Sequence, residues 1–225
     1  MNKNNGISAF KISQTQHKRM KMALWGIGIL LAFQSIIDPL FHSSSYNVVV
    51  MLLMPILKSK FFLLLLNGAI VACSGYILNV LRVALKPFSK WAPWFCLAFI
   101  FMLALSCILN IMNTWYIMSS NFNEFTMVST LQMMLMCTYW MLQGMWFVLV
   151  CILIFNFSGR IRENGWVLFA LLLIEKVCYL LFIHVIVTLA SMSWLFISLL
   201  TSSLYLLLYY FIYRCFEVPN DEAIA

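Results

Sequence analysis

The sequence predicts an all-α, polytopic integral membrane protein: a bundle of six transmembrane helices with a short extra interfacial or re-entrant segment near 46–57. Three observations carry this. Of the 225 residues, 64% are hydrophobic and only 9% are charged, with a mean hydropathy of +0.96. A soluble domain needs about 25% charged residues to keep its surface solvated, so the solvent here is lipid. The apolar residues also fall into runs of about 20 or more, the length that crosses a bilayer as a helix. Finally, Lys and Arg crowd alternate connectors, as they do in a chain that weaves through a membrane.

The spans read at about 23–41, 61–85, 94–117, 127–156, 166–190 and 194–216, between a basic cytoplasmic tail (1–22) and a short cytoplasmic tail (217–225). The first follows Lys18, Arg19 and Lys21 and ends near Asp38-Pro39, before Ser43-Ser44-Ser45. Its apolar run from Met22 to Ile37 is long for a cleavable signal and lacks a small-residue cleavage site, so it reads as a retained span. Tyr46–Leu57 is too short to cross, carries Pro55 and leads to Lys58 and Lys60, which suits an interfacial or re-entrant helix on the outer face. The second span has Gly68, Ala72 and Gly75 at spacings of four and three, and the first has Gly28 and Ala32; such small residues let helices approach and predict close packing of these two spans. Ser119-Ser120-Asn121 closes the third span, and Asn156 to Gly165, with Arg160, Arg162 and Glu163, reads as the turn after the fourth. A β-barrel is disfavoured because runs such as Phe61–Leu66 and Leu171–Ile174 show no alternation of polarity.

Orientation follows from the basic residues. With the N-terminus inside, Lys3, Lys11, Lys18, Arg19, Lys21, Arg82, Lys86, Lys90, Arg160, Arg162 and Arg214 are cytoplasmic, whereas only Lys58 and Lys60 are outside. Both termini are therefore expected in the cytoplasm and the protein in the inner (plasma) membrane. The basic N-terminal flank is expected to touch anionic lipid headgroups. A sequence pI near 9.1 is thus accounted for by topology, and no nucleic-acid partner is needed.

Glu175 and Lys176 stand near the middle of the fifth span. Charged residues at that depth are rare and usually face a bundle interior or an aqueous path. Sixteen strongly apolar residues between Val167 and Leu189 favour insertion by roughly 5–10 kcal/mol, and two central charges oppose it by roughly 5–7 kcal/mol, so this helix needs its neighbours. Glu175 lies nine residues from Trp166, about 14 Å along a helix, too far for its short side chain to reach headgroups. Partners at similar depth are Thr138, Tyr139 and Gln143 on the fourth span, Ser74 on the second and Thr201, Ser202 and Ser203 on the sixth; Asn67, Asn110 and Gln132 extend this polar seam outward.

His184 is the one histidine inside a span, and it reads first as a packing residue and second as a proton relay. A single intramembrane histidine cannot hold a b-type haem. The seven cysteines include no C-x-x-C pair, and six lie within spans, so they read as polarisable fillers without metal or redox chemistry. Cys215, at the cytoplasmic end of the last span, is a candidate for acylation. Motifs for nucleotide hydrolysis, zinc proteolysis and a serine nucleophile are absent, and no cofactor is expected. The leading expectation is a permease-like protein handling a small solute or ion, with proton coupling as an extension. The alternative is a non-transporting interaction protein, an accessory subunit or an immunity or exclusion factor, that grips the helix of another membrane protein, or of a second copy, with the same charged pair.

Overall fold

The computed structural model describes residues 7–42, 60–119, 125–186 and 192–218. Among them the order is β1 (Phe10–Lys11), α1 (Gln14–His42), α2 (Lys60–Leu85), α3 (Ala92–Ser119), α4 (Phe125–Asn156), α5 (Gly159–Ile186), α6 (Met192–Tyr213) and β2 (Phe216–Glu217). Leu64–Leu85, Ala92–Asn113 and Thr130–Asn156 are long and apolar enough to cross a membrane, and Ser198–Tyr213 is a shorter apolar stretch. The described side chains of α1 include Lys18, Arg19 and Lys21, and those of α5 include Arg160, Arg162, Glu163, Glu175 and Lys176, which break up their apolar windows.

Each helix packs on the next in chain order and α6 packs back on α1, which closes a ring; α2 also touches α6. The ends of α2, α4 and α6 meet the starts of α1, α3 and α5 on one face, here called the terminal face. A parallel strand pair clasps the two ends of the chain there. Phe10 N–H donates to Cys215 O at 2.8 Å and Ile12 N–H to Glu217 O at 3.1 Å, with Phe10 opposite Phe216 and Lys11 opposite Glu217. The Phe10 ring meets Phe157 edge-on at 5.1 Å and lies 5.4 Å from Phe216, and Phe88 meets Phe157 at 5.6 Å. One aromatic cluster thereby joins both chain ends to the α2–α3 and α4–α5 turns.

Much of the described core lies toward the terminal face. Ile77, Leu78, Leu81, Leu85, Cys96, Phe99, Trp146, Leu149, Leu153, Ile161, Leu168, Tyr209 and Ile212 are buried, and all belong to the parts of their helices nearer the terminal face. Leu66, on the distal part of α2, and Leu131, on that of α4, are also buried. Large apolar side chains such as Phe61, Phe101, Met133 and Phe155 point outward, as lipid-facing residues do.

Several boundaries differ from the sequence reading. Residues 7–22, expected as a tail, contain β1 and the first turns of α1. Ser13 and Gln16 form a reciprocal capping box, Gln16 N–H to Ser13 Oγ at 3.3 Å and Ser13 N–H to Gln16 Oε1 at 3.3 Å, so the helix starts ahead of its basic residues. α1 also runs through Asp38-Pro39 to His42 instead of ending there; helices of this kind tolerate proline where neighbours compensate the lost bond. The turn expected over Arg160–Gly165 is helical, because Gly159 turns the chain at φ +54° and Ile161 N–H, an otherwise orphaned donor of the first turn, is taken by Ser8 O at 3.1 Å. α1 and α2 do pack together, but through Gly26, whose missing side chain leaves room for Cys73 Sγ at 3.1 Å. Gly28 instead faces Leu206 of α6, Gly75 faces Ile100 of α3, and among the described residues no atom lies within 4 Å of where a Cβ on Gly68 would stand. Ala32 and Ala72 are exposed. Successive residues turn by about 100°, so a small-residue spacing does not identify which neighbour it faces. The segment 46–57 lies outside the described residues.

Two consequences are testable. Replacing Gly159 by Ala adds a side chain at positive φ, with its Cβ 2.9 Å from Ser8 Cβ; the backbone term alone is about 1–2 kcal/mol, and the expected fall in Tm is about 2–8 °C. The His17 ring stacks on Tyr213 at 4.9 Å, and partial burial, then the charge of Lys21, hold its pKa below the usual 6.5. The unfolded chain therefore binds the proton first as pH falls, and this contact's contribution, complete above 6.5, is lost through the lower folded-state pKa. Tm should fall from pH 7.5 to 5 more steeply in the wild type than in His17→Phe, which keeps a stacked ring without titrating.

Candidate functional site

Tyr139 and Gln143 are four residues apart on α4 and so share one face of it, the face turned to α5. Opposite them stands Glu175. Its Oε1 accepts hydrogen bonds from Gln143 Nε2 at 3.0 Å and from the Tyr139 hydroxyl at 3.2 Å, with Lys176 Nζ at 3.7 Å. Lys176 Nζ in turn donates to the Tyr139 hydroxyl oxygen at 3.2 Å, so the phenol bridges ammonium and carboxylate. No hydrogen bond to Oε2 is made among the described residues.

The two charges point different ways, as neighbours on a helix must. The Glu175 side chain is 14% exposed and lines an interior cavity, whereas that of Lys176 is 31% exposed and lies over the rings of Tyr139 (4.9 Å) and Trp140 (5.7 Å). Trp140 itself is exposed on the outside of the ring. Aromatic faces attract a desolvated ammonium group. The pair is thus an internal carboxylate coupled, through a phenol, to an external cation.

The cavity has a volume of about 550 Å³ and takes residues from five helices. Its polar lining is Asn67 from α2, Ser106 and Asn110 from α3, Tyr139 from α4, Glu175 from α5 and Thr201 from α6, with Cys107 and Cys178 between them. These residues stand about 18–27 Å along their helices from the terminal face, at 1.5 Å per residue. Closer to that face the ring is filled. Trp146 meets Phe99 at 5.1 Å, Tyr209 at 5.3 Å and Tyr205 at 6.4 Å, each edge-to-face, and the Tyr205 and Tyr209 hydroxyls are 3.2 Å apart. These rings form an aromatic plug between the level of the cavity and the terminal face.

Of the residues named from sequence, Asn67, Asn110, Tyr139, Gln143, Glu175, Lys176 and Thr201 come together at or beside this cavity. Thr138 does not, because its hydroxyl turns back to Met134 O at 2.7 Å on its own helix. Ser202 bonds Ser35 Oγ at 2.6 Å and so belongs to the α1–α6 seam. Ser203 bonds Leu199 O. Ser74 is buried beside Tyr205 and Tyr209 within the plug, its Oγ outside hydrogen-bond geometry. The side chain of His184 lies outside the described residues. Sequence reasoning missed Ser106, Cys107 and Cys178. Ser106 stands four residues before Asn110 and Cys178 three after Glu175, so helical periodicity would have found both. All seven cysteines are free. Cys215, the acylation candidate, is fully buried, with Sγ bonded to Phe211 O at 3.3 Å and approached by Asn164 Nδ2 at 3.7 Å.

Among the described residues no group of three or more His, Cys, Asp or Glu gathers as metal ligands do. No protein-family model matches the chain, and no curated protein or solved structure matches it either.

Thiol labelling checks the cavity. In single-cysteine variants a small cationic methanethiosulfonate should modify Cys107 and Cys178 roughly tenfold or more faster than the buried Cys96. Equal, slow rates at all three would mean that water does not reach Glu175.

Proposed function

We propose that the protein is a six-span, permease-like membrane protein of the inner membrane, with both termini cytoplasmic, that takes a small solute or ion into the cavity beside Glu175. One observation carries this reading: a carboxylate, bonded through one oxygen to Tyr139 and Gln143, lines a cavity to which five helices contribute polar side chains. A group that served only to tie α4 to α5 would not need Asn67, Ser106, Asn110 and Thr201 to be brought round to it from three other helices.

The chemistry of the lining narrows the solute. Among the described residues no cationic side chain lines the cavity, Lys176 lying over the Tyr139 and Trp140 rings, and amides and hydroxyls supply the remaining polarity. Such a site favours a small cation, or a polar molecule that donates hydrogen bonds, over an anion. With the aromatic plug on the cytoplasmic side, loading is from the outer side, and passage requires Trp146, Tyr205 and Tyr209 to move.

A second reading rests on the outward placement of Lys176. Its ammonium and the exposed Trp140 form a polar-aromatic spot on the outer surface of α4 and α5, which suits the helix of a partner protein. The two readings separate by residue. Glu175→Gln should leave a folded, monodisperse protein whose affinity for its solute, screened by thermal shift against small cations and polar solutes and followed by liposome uptake, falls about 10–100-fold, the range of a lost charge-assisted hydrogen bond. Unchanged binding and uptake in Glu175→Gln would sink the permease reading. Loss of a co-purifying membrane protein in Lys176→Met alone would favour the second.

A further inference from the structure

We infer that the groove between the end of α2 and the start of α3 is a binding site for one anionic phospholipid in the leaflet at the terminal face. The groove, about 650 Å³, gathers three cationic side chains, Arg82, Lys86 and Lys90, and no acidic residue lines it. None of the three forms an ion pair among the described residues. Three positive charges left unneutralised side by side repel one another, and a phosphate group is the anion that Arg and Lys together recognise.

The cations are held in place. Phe88, in the middle of the connecting turn, is anchored in the aromatic cluster against Phe157 at 5.6 Å and Phe10 at 6.3 Å. Phe88 N–H and Ser89 N–H both donate to Leu85 O, at 3.0 and 3.1 Å, and Ser89 Oγ caps α3 by accepting from Ala92 N–H at 3.2 Å. Lys86 and Lys90 thus flank a fixed turn, and little ordering is lost when an anion binds between them.

The remaining walls choose between a lipid headgroup and a free phosphate. Val83, Trp94 and Leu97 line the same groove and are 52%, 69% and 41% exposed. They stand on α2 and α3, two of the helices long and apolar enough to cross a membrane, and tryptophan at such a boundary suits the headgroup level. A soluble anion would satisfy the charges and leave this apolar wall uncovered. A diacyl lipid covers both, with its phosphate among the cations and its chains along Val83 and Leu97.

The test compares two pairs of charge deletions on the same face. Lys86→Gln with Lys90→Gln removes two charges from the groove, and Arg160→Gln with Arg162→Gln removes two from the neighbouring α5 start. Each protein is purified, its fold is checked by Tm, and lipid retention is measured by native mass spectrometry with phosphatidylglycerol and phosphatidylcholine in equal amounts. The wild type should retain one phosphatidylglycerol preferentially. The groove pair should lose about thirtyfold of that preference, from two surface charges, and the α5 pair should stay within about twofold. Equal losses in both pairs, or none in the groove pair, would overturn the site. Displacement of the lipid by millimolar inorganic phosphate would assign the groove to a soluble anion instead and overturn the lipid.

Discussion

A carboxylate deep in an apolar helix has to be answered from another helix, and the rest of the arrangement follows from how Glu175 is answered. In hydrocarbon no water makes up a missing partner. Tyr139 and Gln143 supply two hydrogen bonds to Oε1, and Lys176 balances the charge through the same phenol. This keeps α4 and α5 in one register. It also leaves the two charges pointing in different directions, with the carboxylate lining the cavity and the ammonium group over Tyr139 and Trp140.

Between the level of the cavity and the terminal face the described helices are closely packed. At the terminal face the chain ends are clasped in a parallel pair, the two turns on that side are joined through Phe10, Phe88 and Phe157, and the interior is filled by Trp146, Phe99 and Tyr209. Large aromatic side chains bury extensive surface and meet edge-on, which makes this half stiff. Farther from that face Asn67, Ser106, Asn110, Tyr139 and Thr201 line the cavity at Glu175 together with leucine, methionine and cysteine side chains.

The helices were legible in the sequence because lipid imposes a simple requirement, a long apolar run with its backbone bonds satisfied internally. The second, third and fourth were placed within about two residues of their observed ends. Where charge interrupts the run, legibility fell: α1 and α5 start well before the apolar boundary, since a capping box at Ser13 and a left-handed glycine at Gly159 start helices in polar sequence. The importance of Glu175 could be read from its depth. That Tyr139 and Gln143 would meet it, and that Thr138 and Ser202 would not, depended on rotation about the helix axes, which apolar composition leaves almost free when every face is greasy.

The sequence alone determined that this chain is helical and has lipid as its solvent, because composition and run length decide which backbone structures are stable there. It also marked the two charges as costly. Only the tertiary structure decided that six helices close into a ring, that Gly26 and not Gly28 lets α1 approach α2, and that the cavity holds Glu175 while Lys176 faces out. Those outcomes depend on which side chains meet across helices, a property of rotation and neighbour identity that a one-dimensional pattern of polarity does not encode.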